Sequence, residues 1–172
     1  MLKQALVYDP LLAGAYDTLA WTEWCSGRYE EMLAAARKLL EIDPAYDWGH
    51  TSVGLALLYR GDPAAAITEF KRESNPTEQP WGLALAYHAL GRAADSNAAL
   101  TKFIAGDVGN YAYFIAEVYA YRGERDEALK WLDRAYAHKD GTLKWILRDP
   151  TMAKLESDPR YNAFLRKMNL PE

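Results

Sequence analysis

Four glycines at near-constant spacing constrain this chain more than any other feature. Gly27, Gly61, Gly91 and Gly123 lie 34, 30 and 32 residues apart, each between two runs of apolar residues at helical spacing. Glycine enters the left-handed backbone region without a steric penalty, so it ends a helix and lets the next one fold back. Asp9-Pro10 and Asp43-Pro44, themselves 34 residues apart, add a second punctuation mark. Proline stops one helix or starts the next. A single helix pair cannot bury its apolar face alone, so such pairs must stack.

The apolar positions repeat with the glycines. Tyr16, Leu19 and Ala20 share one helix face, and Leu33, Ala36, Leu39 and Leu40 share a face of the next. The second unit has Val53, Gly54 and Leu57, then Ala66, Ile67 and Phe70. The third has Leu83, Ala84 and Tyr87, then Ser96 and Leu100; the fourth has Ile115, Ala116 and Tyr119, then Ala128, Leu129, Leu132 and Ala135. Ala20, Gly54, Ala84 and Ala116 recur at one place, where a small residue lets the two helices of a pair approach closely. Asp62-Pro63 reads as a helix start, with Asp as cap and Pro in the first turn.

These units resemble tetratricopeptide repeats over roughly residues 1 to 140. "GRYEEMLAAARKLLEIDP" and "GERDEALKWLDRAYAHKD" are similar to that family's second helices. The chain departs from the family at Glu23, where an apolar or aromatic residue is usual, and at His50 and Pro80, where a large aromatic is usual. The second unit's last helix is about two residues short, ending near Asn75-Pro76, and the third ends in Ala105-Gly106-Asp107 without its proline. The resemblance implies an all-α fold: a right-handed superhelical stack of antiparallel helix pairs, a TPR-like α-solenoid with a short helical C-terminal cap. The chain is expected to form a single such domain over 1–172, with the end of a truncated repeat at 1–10, repeats at 13–44, 47–76, 79–106 and 109–140, and the cap at 141–172.

Both ends add expectations. "MLKQALVYDP" reads as the last part of a second helix, with Leu2, Leu6 and Val7 facing a missing neighbour, so the chain is expected to be the C-terminal piece of a longer protein. The tail has two Asp-Pro helix starts, Asp149-Pro150 and Asp158-Pro159, followed by Tyr161, Phe164, Leu165 and Met168 at helical spacing. Ser157 to Tyr161 resemble the C-termini of bacterial multidomain regulators that end in such repeats, among them class III nucleotide cyclases, winged-helix transcription regulators and protein kinases.

Composition narrows the function. The formal net charge is −4 and no Lys/Arg cluster occurs, which argues against nucleic acid as a partner. No apolar stretch approaches the roughly 20 residues that span a bilayer, and the N-terminus does not read as a signal peptide, so no membrane partner is expected and the cytoplasm is the expected location. Cys25 is the single cysteine, which precludes an intramolecular disulfide. His50, His88 and His138 lie in three different units, so no metal site is expected. The glycines form no phosphate cradle, Glu23 and Glu117 belong to different units, and nothing marks a catalytic residue or a cofactor. The expectation is a non-catalytic module.

Six Trp and twelve Tyr are the unusual figure. In the repeat family the first helix of each pair lines the concave face. Position by position, this implies a peptide-binding groove of Asp17, Trp21, Trp24 and Cys25; Trp48, Thr51, Leu55, Leu58 and Tyr59; Trp81, Leu85 and His88; and Asn110, Tyr113, Glu117 and Tyr121. Almost no positive charge lines it, so an acidic peptide end is not its ligand, and apolar, proline-containing or mildly basic segments are. Two alternatives stand beside this reading. The rings are core, or the tail helix 159–168 fills the groove in cis; or the exposed first helix or the aromatic face makes a homodimer, or the chain is an intramolecular scaffold of a larger bacterial signalling protein.

Overall fold

The computed structural model describes residues 11–76, 78–106 and 111–171. The part-helix expected at 1–10 and the groove residue Asn110 lie outside the described residues. Among the described residues the elements are helical and no strand occurs. They divide into two compact units, residues 1–99 and 100–172.

In the first unit α1 (Ala13–Cys25) packs antiparallel on α2 (Tyr29–Ile42), α3 (Gly49–Tyr59) on α4 (Pro63–Phe70), and α5 (Glu78–Ala89) follows. α1, α3 and α5 touch one another in order and form one layer; α2 and α4 form the other. Each helix shows its place in its sequence. α2 is amphipathic, burying Met32, Leu33, Ala35, Ala36 and Leu39 while Glu30 and Glu31 complement the dipole at its first turn. α3 is buried from Thr51 to Leu58 and apolar on every side from Val53 on, because it has neighbours in both layers.

The four repeat glycines do what their spacing predicts. Each has a positive φ, from +69° at Gly27 to +87° at Gly61. After each, the next residue's N–H returns to a carbonyl five residues back: Arg28 to Glu23, Asp62 to Leu57, Arg92 to Tyr87 and Glu124 to Tyr119, all at 2.9 Å. This satisfies the carbonyls left open at each helix end. The small-residue stripe is also in place, with Ala20, Ala84 and Ala116 fully buried. A Cβ on Gly54 would lie 2.6 Å from Phe70 Cε1 and one on Gly82 would lie 2.2 Å from Phe70 Cδ1, so the Phe70 ring occupies the space both glycines leave.

α4 is shorter than the sequence predicts. Asp62 caps it by accepting from Ala65 N at 3.0 Å, but the helix ends at Phe70 rather than near Asn75. The reason lies in Glu73. Its buried carboxylate accepts Thr51 N at 3.2 Å and Thr51 Oγ1 at 3.0 Å on α3, and Asn75 N at 3.2 Å, which turns the chain back toward the α3 N-terminus.

The division between the units falls within α6 (Ala93–Gly106). In its first-unit part, Ser96 Oγ donates to Ala84 O at 2.7 Å, joining α6 to α5. The second unit pairs α7 (Ala112–Tyr121) with α8 (Arg125–Ala137), then adds two 3-10 turns, Gly141–Trp145 and Met152–Leu155, and α9 (Pro159–Lys167). Of the two Asp-Pro starts only Asp158-Pro159 opens an α-helix, with Asp158 accepting Arg160 N at 3.0 Å; Asp149-Pro150 opens a turn instead, in which Asp149 accepts Thr151 N at 2.7 Å ahead of Met152–Leu155. Tyr113, Ala116, Leu132, Ile146, Met152, Leu155, Tyr161 and Phe164 make the unit's core.

Candidate recognition face

Helical spacing places Trp21 on α1, Trp48 at the start of α3 and Trp81 on α5, in the one layer these helices share. Their rings form a ladder. Trp81 and Trp48 have centroids 5.9 Å apart, Trp48 and Trp21 6.1 Å, Trp21 and Trp24 5.2 Å, Trp24 and Tyr59 6.1 Å. Tyr29 from α2 stacks on Tyr59 at 5.1 Å. Most of these pairs are edge-to-face, the arrangement that the aromatic quadrupole favours.

Burial sorts the residues that the sequence places in a groove. Trp24, Thr51, Leu55, Leu58, Trp81 and Leu85 are buried and serve as the floor and core of the first unit. Their burial has a simple cause: an inner helix has neighbours on most of its circumference, and only a narrow stripe of it faces outward. Asp17, Trp21, Cys25, Trp48, Tyr59 and His88 are half-buried and carry that stripe.

Trp48 is held unusually. Its φ is +70°, in the left-handed region, directly before Gly49. A Cβ at Gly49 would come 2.5 Å from Leu40 Cδ2, so the chain passes close to α2 there. The left-handed residue costs about 1–2 kcal/mol for a non-glycine side chain. Packing between Trp21 and Trp81 holds the Trp48 ring in this place.

Acidic groups accompany the rings. Glu23, the departure from the repeat pattern, is buried and paired with Arg28. Burial pushes the Asp17 carboxyl above its ordinary range, and its Oδ1 is buried without a hydrogen-bond partner. Glu78, the first residue of α5, is 3% exposed. Its Oε1 accepts Asn75 Nδ2 at 2.9 Å, while its Oε2 is buried without a partner. Burial, with Glu73 and Asp47 nearby, pushes its pKa up to about 8. Glu73 and Glu78 are functional candidates that the sequence reading missed. Asn75-x-x-Glu78 has the spacing of a capping box, which signals a helix start but not a buried acid. His50, at a usual aromatic position, instead pairs with Glu69 through Nδ1 at 2.8 Å.

The second unit treats its share of the predicted groove differently. Tyr113 and Glu117 are buried, beneath the cap rather than open. Tyr113 O–H donates to the buried Asp149 Oδ2 at 2.7 Å, and its N–H donates to Asp140 at 3.1 Å. Burial and the Asp149 carboxylate hold the Tyr113 phenol well above its ordinary range. The turn Met152–Leu155 packs on α7, with Lys154 Nζ 4.2 Å from the Tyr121 ring centroid and donating to Tyr121 O at 2.8 Å. The part of the tail that covers α7 is thus this turn; α9 packs on α8. A cleft lined by Leu129, Asp133, Arg160, Phe164 and Lys167 lies there, with ion pairs Lys167–Asp133 at 2.8 Å and Arg160–Asp126 at 2.7 Å.

Among the described residues no group of three His, Cys, Asp or Glu side chains is placed to hold a metal ion, and no helix is long and apolar enough to cross a membrane. No protein-family model matches the chain, and no curated protein sequence matches it. Among solved structures, the crystal structure of MamA is similar, with a TM-score of 0.55 and 22% sequence identity, over 83% of this chain and 87% of that one. MamA is a TPR-type helical protein, and at this identity the likeness concerns the fold alone, which is all-α and TPR-like.

Proposed function

We propose that the chain is a non-catalytic protein-interaction module and that the α1–α3–α5 face of its first unit binds an extended segment of a protein partner. The ring ladder carries this reading. Trp21, Trp48 and Tyr59 are half-buried side chains backed by the fully packed Trp24 and Trp81. Rigid, partly exposed aromatics seated on a packed floor make contact area at little entropic cost, as the anchors of interfaces do. The backbone strain at Trp48 fits the same role, because strain at one surface ring points to function more than to stability. The TPR-like fold supports a scaffold of this kind.

The test is selection of peptides from a displayed random library, followed by titration against Trp21→Ala and Trp48→Ala. Each substitution is expected to weaken binding by about tenfold or more while the helical circular dichroism is retained. Equal affinity for both variants and the wild type refutes the assignment of this face. Trp81→Ala is not a useful probe, because that ring is 1% exposed and its loss opens the core.

A second reading, homo-oligomerisation, draws on Leu11 and Leu12, which are 68% and 45% exposed just before α1. A sedimentation coefficient that rises with concentration, and is abolished by Leu11→Gln with Leu12→Gln, supports it; a strict monomer excludes it.

A further inference from the structure

Resting on the segment-binding reading, we infer that the tryptophan ladder is a subsite for a cationic side chain, lysine or arginine, of the bound segment. Three of the ladder's four tryptophans, Trp21, Trp48 and Trp81, follow a carboxyl residue by one to four positions. Asp17 precedes Trp21 by one turn on α1, Asp47 immediately precedes Trp48, and Glu78 precedes Trp81 by one turn on α5. Along the layer, an acid and an indole therefore stand within about one turn of each other in sequence on α1, just before α3 and on α5. Trp21 and Trp48 form the half-buried rim, and Trp81 with Glu78 forms the buried floor.

The chemistry of the pairing selects the ligand. A cation within about 6 Å of an indole centroid is attracted to the ring face, and tryptophan is the strongest of the aromatics in this. Trp48 and Trp21 have centroids 6.1 Å apart and both are half-buried, so the exposed side of this pair is the part a cation can reach, while Trp81, 5.9 Å from Trp48, backs it from the buried side. Two of the carboxyls are incomplete: Glu78 Oε2 and Asp17 Oδ1 are buried and accept no hydrogen bond among the described residues. A buried polar atom left in that state carries a desolvation cost that an incoming N–H donor removes. The charges that act on Glu78 are both negative, Glu73 and Asp47, and together with burial they keep it protonated near neutral pH. An arriving ammonium or guanidinium supplies the missing positive charge and lets Glu78 ionise. Acidic segments meet the opposite field. Apolar ones leave the two oxygens unsatisfied. Metal ions are disfavoured, since no three such ligands are grouped among the described residues.

Three fluorescein-labelled nonapeptides that alternate proline with arginine, glutamine or glutamate, titrated into the whole chain at physiological ionic strength, test this. The arginine peptide is expected to bind at least about tenfold more tightly than the glutamine peptide, and the glutamate peptide more weakly than both. In the double variant Asp47→Asn, Glu78→Gln, which keeps side-chain volume, the arginine preference is expected to fall to about twofold or less. Equal binding of the arginine and glutamine peptides overturns the cation subsite and leaves segment binding standing. An arginine preference that the double variant keeps in full overturns it as well, by assigning the preference to another acidic surface. Binding of none of the three overturns both readings.

Discussion

Replacing Glu78 by Gln isolates the energetic consequence of the buried acid at the head of α5. In the folded chain its pKa is about 8, against 4.5 for the free side chain. A carboxyl with a raised folded pKa binds protons more tightly in the native state. Its folded form is therefore favoured below the unfolded pKa, and that advantage is lost as pH rises toward the folded value. The window runs from about pH 4.5 to about pH 8. At 1.36 kcal/mol per unit the full shift corresponds to about 5 kcal/mol, and relaxation and water penetration around the ionised carboxylate reduce this to about 3 kcal/mol. Glutamine keeps the acceptor for Asn75 Nδ2 and cannot ionise. The assay is urea unfolding at pH 5 and pH 9, followed by tryptophan fluorescence, since four of the six tryptophans belong to the first unit. Glu78→Gln is expected to match the wild type at pH 5 and to exceed it by about 3 kcal/mol at pH 9. Parallel pH dependence in the two proteins refutes the claim that Glu78 is buried and neutral near pH 7.

Two further outcomes follow from packing. Gly82→Ala places a methyl 2.2 Å from Phe70 Cδ1, and the ring is held from the other side by Gly54, so a loss of about 1–3 kcal/mol is expected in the same urea assay; a neutral result would mean that the ring has room to move. Tyr113→Phe removes the 2.7 Å hydrogen bond to Asp149 in the core of the second unit and leaves a buried carboxylate oxygen without its donor, with an expected loss of about 1–3 kcal/mol read by thermal unfolding of that unit.

The helix pairing was legible because it depends on local chemistry. A left-handed residue must end each first helix, and Gly27, Gly61, Gly91 and Gly123 are the residues that do so. The caps at Asp62 and Asp158 were legible for the same reason, since each acts within three residues of itself. What the pattern did not reveal depends on distance in sequence. Glu73 reaches Thr51, 22 residues away, and this shortens α4. Tyr113 reaches Asp149, 36 residues away, and this turns a predicted groove residue into core. Periodicity marks which face of a helix is apolar, but it does not say how many neighbours cover that face. Trp24, Trp81 and Leu85 therefore read as groove residues and are buried, while Trp21 and Trp48 are the ones that reach the surface.

The claim that a partner segment lies on the first unit's aromatic face has one direct measurement. In a 1H–15N spectrum each of the six tryptophans contributes an indole N–H signal that can be assigned by substitution. On titration with a selected peptide, the signals of Trp21 and Trp48 are predicted to shift in saturable fashion, with those of Trp131 and Trp145 in the second unit unchanged. Shifts confined to Trp131 and Trp145, or still Trp21 and Trp48 signals at saturation, would contradict it.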